Sequence, residues 1–328
     1  MIRFLARRFL WFGVAVLAVV TVSFFLMRSV RGGPFSTERA LHPAIEHNLA
    51  ARYHLDWPLW KQYLQYIGPL NLDEGRARLL GGDGSDLFGG VLSGDLGPSY
   101  RYRDYTVNAI LAQSLPVSIA LGALALSWAL LLGVAAGIAS ALLRGGALDA
   151  VVRLTATIGI ALPNFVLAGL LIVALCFTST WLPPAGWGRL EHLVLPAFVL
   201  GAPFAAYVAR LTRSGVLEVL SQDYVRTAVA KGMPPRIVVF RHVLRGALLP
   251  VVSYMGPAAA GVLTGSLVVE KIFAIPGTGT HFVNSALNRD YTLAMGVTLL
   301  YTVLVYTLNL VVDVAYTLLD PRISLDEA

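Results

Sequence analysis

Residues 210–245 read RLTRSGVLEVLSQDYVRTAVAKGMPPRIVVFRHVLR. On either side lie uncharged runs, 193–209 and 246–269, of 17 and 24 residues. A helix needs about 20 apolar residues to cross the hydrocarbon core of a bilayer, so the stretch is a charged loop held between two membrane spans. It carries seven of the 25 Lys and Arg residues and only two acids, Glu218 and Asp223. Apolar residues at helical spacing from 216 to 230 predict one helix, with Val216, Leu217, Leu220, Tyr224 and Ala228 on one side. Gly232 and Met233-Pro234-Pro235 end it, and RIVVFRHVL at 236–244 predicts a second, shorter helix. A basic loop on anionic lipid accounts for the charge, at roughly 1 kcal/mol per basic residue. A folded corner suits a soluble partner docking on a short helix pair, and small residues such as Ala228 and Ala230 beside Gly232 allow close approach.

Further uncharged or nearly uncharged runs occupy 9–27, 105–143, 154–188 and 291–312, and the last continues apolar past Asp313 to 319. Residues 105–143 would make about 58 Å of helix, too long for one simple span. Pro116 therefore divides the run, leaving 106–115 as a surface segment and 116–143 as the span. Residues 178–188, TSTWLPPAGWG, read as an interfacial loop. The expected order is a cytosolic N-terminus 1–8, spans at 9–27, 116–143, 154–177, 193–209, 246–269 and 292–319, outer segments 28–106 and 270–291, the inner loop 210–245, and a cytosolic C-terminus 320–328. The expectation is an all-α polytopic membrane protein of six spans, within a range of five to eight, since a hairpin of two spans would barely fit 105–143. Arg3, Arg7 and Arg8 before the first run could open a signal peptide, but no small-x-small cleavage site follows it, so the run reads as an uncleaved anchor. With both termini inside, the short inner loops and ends hold 13 basic residues against three outside, Arg189, Lys271 and Arg289. Arg28 and Arg31, close to a span end on the outer side, are the contrary signal.

Composition agrees. The chain has 328 residues, 56% apolar and 13% charged, against about 25% charged in soluble domains. One cysteine, Cys176, excludes a disulfide scaffold. The net charge of +6 reports loop asymmetry and gives no support to nucleic-acid binding. The outer segment 28–106 balances nine basic with nine acidic residues. Within it, 44–66 predict two short helices broken near Trp57-Pro58, and 81–97 a Gly- and Asp-rich loop; together they suggest a small folded domain. Asp83 and Asp86 lack the alternating ligands and closing Glu of a calcium loop, and His42, His47 and His54 have no zinc spacing. There is no GxxxxGK[ST] phosphate loop. Asp313, inside the last run, reads as paired near the inner surface, Glu270 and Lys271 as a local ion pair, and Cys176 as a packing residue. Pro163, Pro196, Pro203, Pro250 and Pro257 either kink spans beside a cavity or are merely tolerated.

DYVRTAVAKG at 223–232, followed by RHVLRGALLP at 241–250, resembles the signature loop of importer-type ABC permeases, in the longer form of the peptide-transporter branch. Arg7-Arg8, DLGPSY at 95–100, Pro116-Val117-Ser118, SYMGP at 253–257, Pro276-Gly277, LNRDY at 287–291 and Asp320-Pro321-Arg322 extend the similarity end to end, in the pattern of the oligopeptide/dipeptide permease family and nearest its oligopeptide B-type subunits. The resemblance implies the importer permease fold with an external insertion between the first two spans. It implies a coupling helix bearing Asp223, Tyr224, Arg226, Thr227, Ala228, Lys231 and Gly232, docked in a cytosolic ATPase. It further implies a second permease, two ATPase subunits carrying ATP and Mg, an external peptide-binding protein, and a bacterial inner-membrane location. This chain would bind no cofactor, do no covalent chemistry and form half of a translocation pathway. An ion-coupled secondary transporter is the alternative; it would need buried ionisable relays, which the spans scarcely offer. A channel would need a filter motif, and none is present.

Overall fold

A computed structural model describes residues 2–29, 33–35, 43–68, 70–71, 78–79, 89–102, 104–179 and 182–319. The helices among these are α1 (Ile2–Ser29), α2 (Pro43–Arg52), α3 (Leu59–Ile67), α4 (Val107–Leu142), α5 (Ala147–Ala161), α6 (Asn164–Leu171, continued by a π-type turn Ile172–Thr178), α7 (Glu191–Leu220), α8 (Asp223–Ala230), α9 (Pro235–Ile237, continued by a π-type turn Val238–Val243), α10 (Leu244–Ala247), α11 (Leu249–Ile272), α12 (Thr278–Asn288) and α13 (Tyr291–Leu319). Among the described residues, strands are limited to a two-residue antiparallel pairing of Leu70–Asn71 with Arg78–Leu79. Four helices among the described residues are long and apolar enough to cross a membrane, or six if each of two bent pairs is one span.

The element bounds differ from the sequence expectation in several places, each with a physical reason. Residues 106–115 are not a separate surface segment. α4 runs 36 residues straight through Pro116, because its first turns are held by packing: Val107, Ile110 and Leu111 are buried with Leu293 and Val297 of α13. The missing amide of Pro116 is a local loss that the surrounding contacts outweigh. Pro163 has the opposite outcome. Leu162 takes the extended backbone that a following proline favours (φ −78°, ψ 123°), and α5 and α6 meet at 111° instead of forming one straight span over 154–177. α7 continues eleven residues past 209, to Leu220; 210–220 contain no proline, and Gly215 is held in the helix by close packing, since a Cβ there would run into the Ala247 carbonyl oxygen. The break falls at Ser221-Gln222, so the helix expected over 216–230 is two. The second segment of the loop is helical over Pro235–Ala247 and bends by 51° into α11. The outer stretch 270–291, expected as plain loop, contains α12. Pro196, Pro203 and Pro257 lie inside continuous helices, and Pro250 occupies the first turn of α11.

The chain divides into two compact units, 1–116 with 276–306, and 117–275 with 307–328. In the first, α2 and α3 flank the Trp57-Pro58 break. Phe24, Tyr66, Tyr291 and Met295 form its core together with Tyr63 and Tyr100. Residues 95–100 and 287–291, far apart in the chain, meet here. The buried Asp290 carboxylate accepts from the Ser99 hydroxyl and from the Tyr100 amide at 3.1 Å. It also accepts from the Thr292 hydroxyl at 3.1 Å and from the Leu293 amide at 3.3 Å, which caps the start of α13. Arg101 donates to the Asn288 carbonyl at 2.7 Å and to that of Pro34 at 3.1 Å. Residues 28–106, expected as an outer segment, are thus packed where they are described. Asp83, Asp86 and His42 lie outside the described residues, as do residues 320–328 and the side chain of Asp313.

The second unit is built on α7. Trp128 of α4 stacks on Phe198 at 4.6 Å and donates to the Ala197 carbonyl at 2.7 Å. Gly133 and Gly137 of α4 face the α7 backbone so closely that a Cβ built on them would stand 2.7 Å from the Ala205 carbonyl oxygen and 2.6 Å from that of Ala209. This is the small-xxx-small approach of membrane helices. Cys176 is buried. Glu270 is fully buried in α11 and accepts from the Ser118 and Ser266 hydroxyls, both at 2.7 Å.

Candidate functional site

The corner between α7 and α11 is assembled from local rules. Ser221 closes α7 at φ −81° and ψ −9°, Gln222 is extended at φ −75° and ψ 147°, and the chain restarts as α8 with Asp223 in its first turn, where a negative charge suits the helix dipole. The end of α8 is a Schellman motif. Gly232 takes φ +74°, its amide donates to the Val229 carbonyl at 2.9 Å, and the Met233 amide donates to that of Ala228 at 3.3 Å. A non-glycine residue at that φ costs about 1 kcal/mol. Pro234 and Pro235 then turn the chain, and the helical segment Pro235–Ala247 returns it to α11.

α8 sits on a small core of its own. Val225 and Ala228 are buried with Val216 of α7, Val238, Val243 and Ala247 of the returning segment, and Ala141 of α4. Of the seven residues expected to dock a partner, Asp223, Tyr224, Arg226, Thr227, Lys231 and Gly232 are exposed. Ala228 is not: at 5% exposure it faces this core, and its small size lets α8 seat against its own chain. The Arg226–Asp223 contact of 3.8 Å is open to solvent and adds little. Tyr224 reaches the His242 carbonyl at 3.4 Å, a long contact between the two arms.

The exposed side of the corner is more apolar than the motif suggested. Val229 is 59% exposed, Tyr224 51%, Ile237 43% and Phe240 71%. Ile237 and Phe240 escaped the sequence reading because RIVVFRHVL has more apolar residues than one helix face can hold. That surplus was the available signal; a π-type turn over Val238–Val243 turns Val238, Val239 and Val243 inward and Phe240 outward.

A second feature ties this corner to the helices behind it. Asp149, 1% exposed, lies in the first turn of α5. Arg213 of α7 engages it with two donors, at 2.8 and 3.1 Å. Ser140 of α4 donates at 2.6 Å and the Gly145 amide at 3.0 Å. Arg153 stands 3.5 Å away on the solvent side. The clasp joins the ends of α4, α5 and α7 less than one helix turn below the residues that seat α8, since Ala141 adjoins Ser140 and Val216 is three residues from Arg213. The corner therefore rests on a bundle end whose charges are mutually satisfied. Among the described residues no cluster of three metal-ligating side chains occurs.

The profile of the family described as "Binding-protein-dependent transport system inner membrane component" matches residues 129–325, which include the whole corner. The chain belongs to that family. It is 43% identical over 325 residues to the oligopeptide transport system permease protein OppB of Salmonella typhimurium, covering 98% of this chain and 99% of that one. It is 41% identical to the dipeptide transport system permease protein DppB of Bacillus subtilis, covering 99% of each. The fold is that of an ABC importer permease: a MetNI methionine ABC transporter, solved in inward-facing conformations, aligns with a TM-score of 0.52 at 17% identity, over 64% of this chain and 96% of that one. The chain is thus a multi-pass permease component of the inner membrane.

Proposed function

We propose that this chain is one of two permease subunits of an ATP-driven peptide importer, and that α8 with its Gly-Pro corner receives the force of a cytosolic ATPase. The observation that carries the reading is the corner itself: a folded, charged helix with exposed apolar side chains at Val229, Ile237 and Phe240, seated on α4 and α7, whose ends are clasped to α5 through Asp149. Apolar side chains of that size on an otherwise basic inner loop call for a protein cover. End-to-end identity with oligopeptide and dipeptide permeases supports peptide as the cargo.

The arrangement suits force transmission. An alternating gate needs two packings, each favoured by a different partner state, and the permease supplies no energy if ATP binding in the partner favours one of them. A helix whose core is shared with α4, α7 and the returning segment moves them when it moves. The chain in this reading performs no covalent chemistry and holds no cofactor; ATP and Mg belong to two ATPase subunits, an external binding protein delivers the peptide, and both termini are cytosolic.

Gly232→Asp tests the coupling role. No atom stands within 4 Å of the position a Cβ would take, so the variant inserts and assembles. The φ of +74° and the added charge disturb only the end of α8. The expected result is loss of peptide-stimulated ATP hydrolysis in the assembled complex, with membrane levels unchanged. Wild-type stimulation in that variant would remove α8 from the coupling path.

A further inference from the structure

Helix α3 is apolar on both sides: Tyr63, Tyr66 and Ile67 pack inward, and Leu59, Trp60 and Leu64 face outward. Its buried residues are Gln62, Gln65 and Tyr66, whereas Leu59 is 50% exposed, Trp60 62% and Leu64 37%. The inward amide of Gln62 is bonded. Gln62 donates to the Leu55 and Trp57 carbonyls at 3.2 and 2.7 Å and accepts from Arg28 at 2.7 Å. Exposing Leu and Trp while burying two glutamines opposes the usual hydrophobic gain, about 25 cal/mol per Å² of apolar surface removed from water. That arrangement is favourable if the outward side does not face water.

The contacts of α3 with α1 fix its depth. The Tyr63 hydroxyl lies 2.6 Å from that of Thr21, and the Tyr63 ring packs 5.3 Å from Phe24 and 5.4 Å from Phe25. Thr21 precedes Arg28 by seven residues, about 10 Å along a helix, and lies inside the uncharged run that ends at Met27. α3 thus lies beside the last two turns of the α1 span rather than above them. The neighbouring side chains of α1 are themselves turned outward, Val22 at 61%, Phe25 at 44% and Leu26 at 55% exposure. The Phe25–Tyr63 contact makes the apolar surface of α3 continuous with theirs. At the N-terminal edge of α3, the Lys61 ammonium sits 3.4 Å over the Trp57 ring, which stacks on His54. An aromatic ring with a cation folded over it suits the level of lipid headgroups.

We propose that α3 is an in-plane amphipathic helix seated in the outer leaflet, with Trp60 and Leu64 among the phospholipid acyl chains and Trp57–Lys61 at the headgroups. The bilayer is then the partner of this side of the outer segment, and it anchors that segment beside the first span. Short amphipathic helices lie in the interface in this manner.

Site-directed spin labels on the full chain test it. Cys176 is the single cysteine, so Cys176→Ala gives a clean background for Trp60→Cys, Leu64→Cys and Leu59→Cys, each at an exposed position. Asp56→Cys, also exposed, serves as the water reference and Val22→Cys as the lipid reference. In nanodiscs of phosphatidylethanolamine and phosphatidylglycerol, labels at 60 and 64 should relax with oxygen over a water-soluble nickel chelate at a ratio severalfold above that at 56 and close to that at 22. Ratios matching the label at 56 overturn the proposal. Shielding from both reagents overturns it too, since a protein surface would then cover α3. A water-accessible label at 22 would remove the α1 span and the proposal with it. If Trp60→Cys fails to insert, the pair at 59 and 64 decides the question by the same ratios.

Discussion

Asp149 shows how one side chain sets the state of a bundle end. Its carboxylate carries a two-donor guanidinium, a hydroxyl and a backbone amide at 3.1 Å or less, in a position 1% exposed. Asp149→Asn keeps the shape, removes the charge and turns an acceptor into a donor facing Arg213. The expected outcome is a lower melting temperature of the purified protein and weaker stimulation of ATP hydrolysis by substrate. Arg153→Gln should change neither by much, because Arg153 is 57% exposed at 3.5 Å and such pairs contribute little. An unchanged melting curve for Asp149→Asn would leave the clasp without a structural role. Nothing in the sequence around Asp149 marks it. Its main partner lies 64 residues away, and only the packing of α5 on α7 brings the two together. Gly232 is the contrasting case. Its left-handed φ and the Pro-Pro that follows are local features, legible from the chain alone.

Among elements, the crossing of α4 and α7 decides how the second unit packs. Gly137 meets the Ala209 carbonyl and the Thr212 Cβ at 2.6 Å from where a Cβ would stand. Gly137→Ala therefore separates the two helices or strains them, and overpacking of this kind costs about 1–3 kcal/mol. Gly169→Ala in α6 has no atom within 4 Å and should be neutral or slightly stabilising. Thermal unfolding of the two variants in the same detergent checks the difference; equal curves would show that the close approach is not required. The same scale explains the prolines. Pro116 and Pro163 have the same local chemistry, yet one lies inside a 36-residue helix and the other marks a bend of 111°. The difference is set by what surrounds them: the turns before Pro116 are buried against α13, whereas Leu162 adopts the extended backbone before Pro163.

For the whole molecule, the reading is of a subunit that works only in company. A pull-down from mild detergent should recover a second, homologous permease and two ATPase chains per copy of this one. A homomer free of ATPase would overturn the assignment. The exposed Val229, Ile237 and Phe240 are the surface that such a partner would cover.

The amino-acid sequence by itself determined the class. Charge sparsity, run lengths and the Lys and Arg asymmetry are sums over the chain, and the 223–232 motif is local, so neither depends on how distant parts meet. Only the tertiary structure decided that Ala228 faces inward, that Phe240 faces outward, that α7 runs on to Leu220, and that residues 95–100 close on 287–291 around Asp290. Periodicity shows that a helix has two sides. Which side is covered, and by what, depends on segments far along the chain.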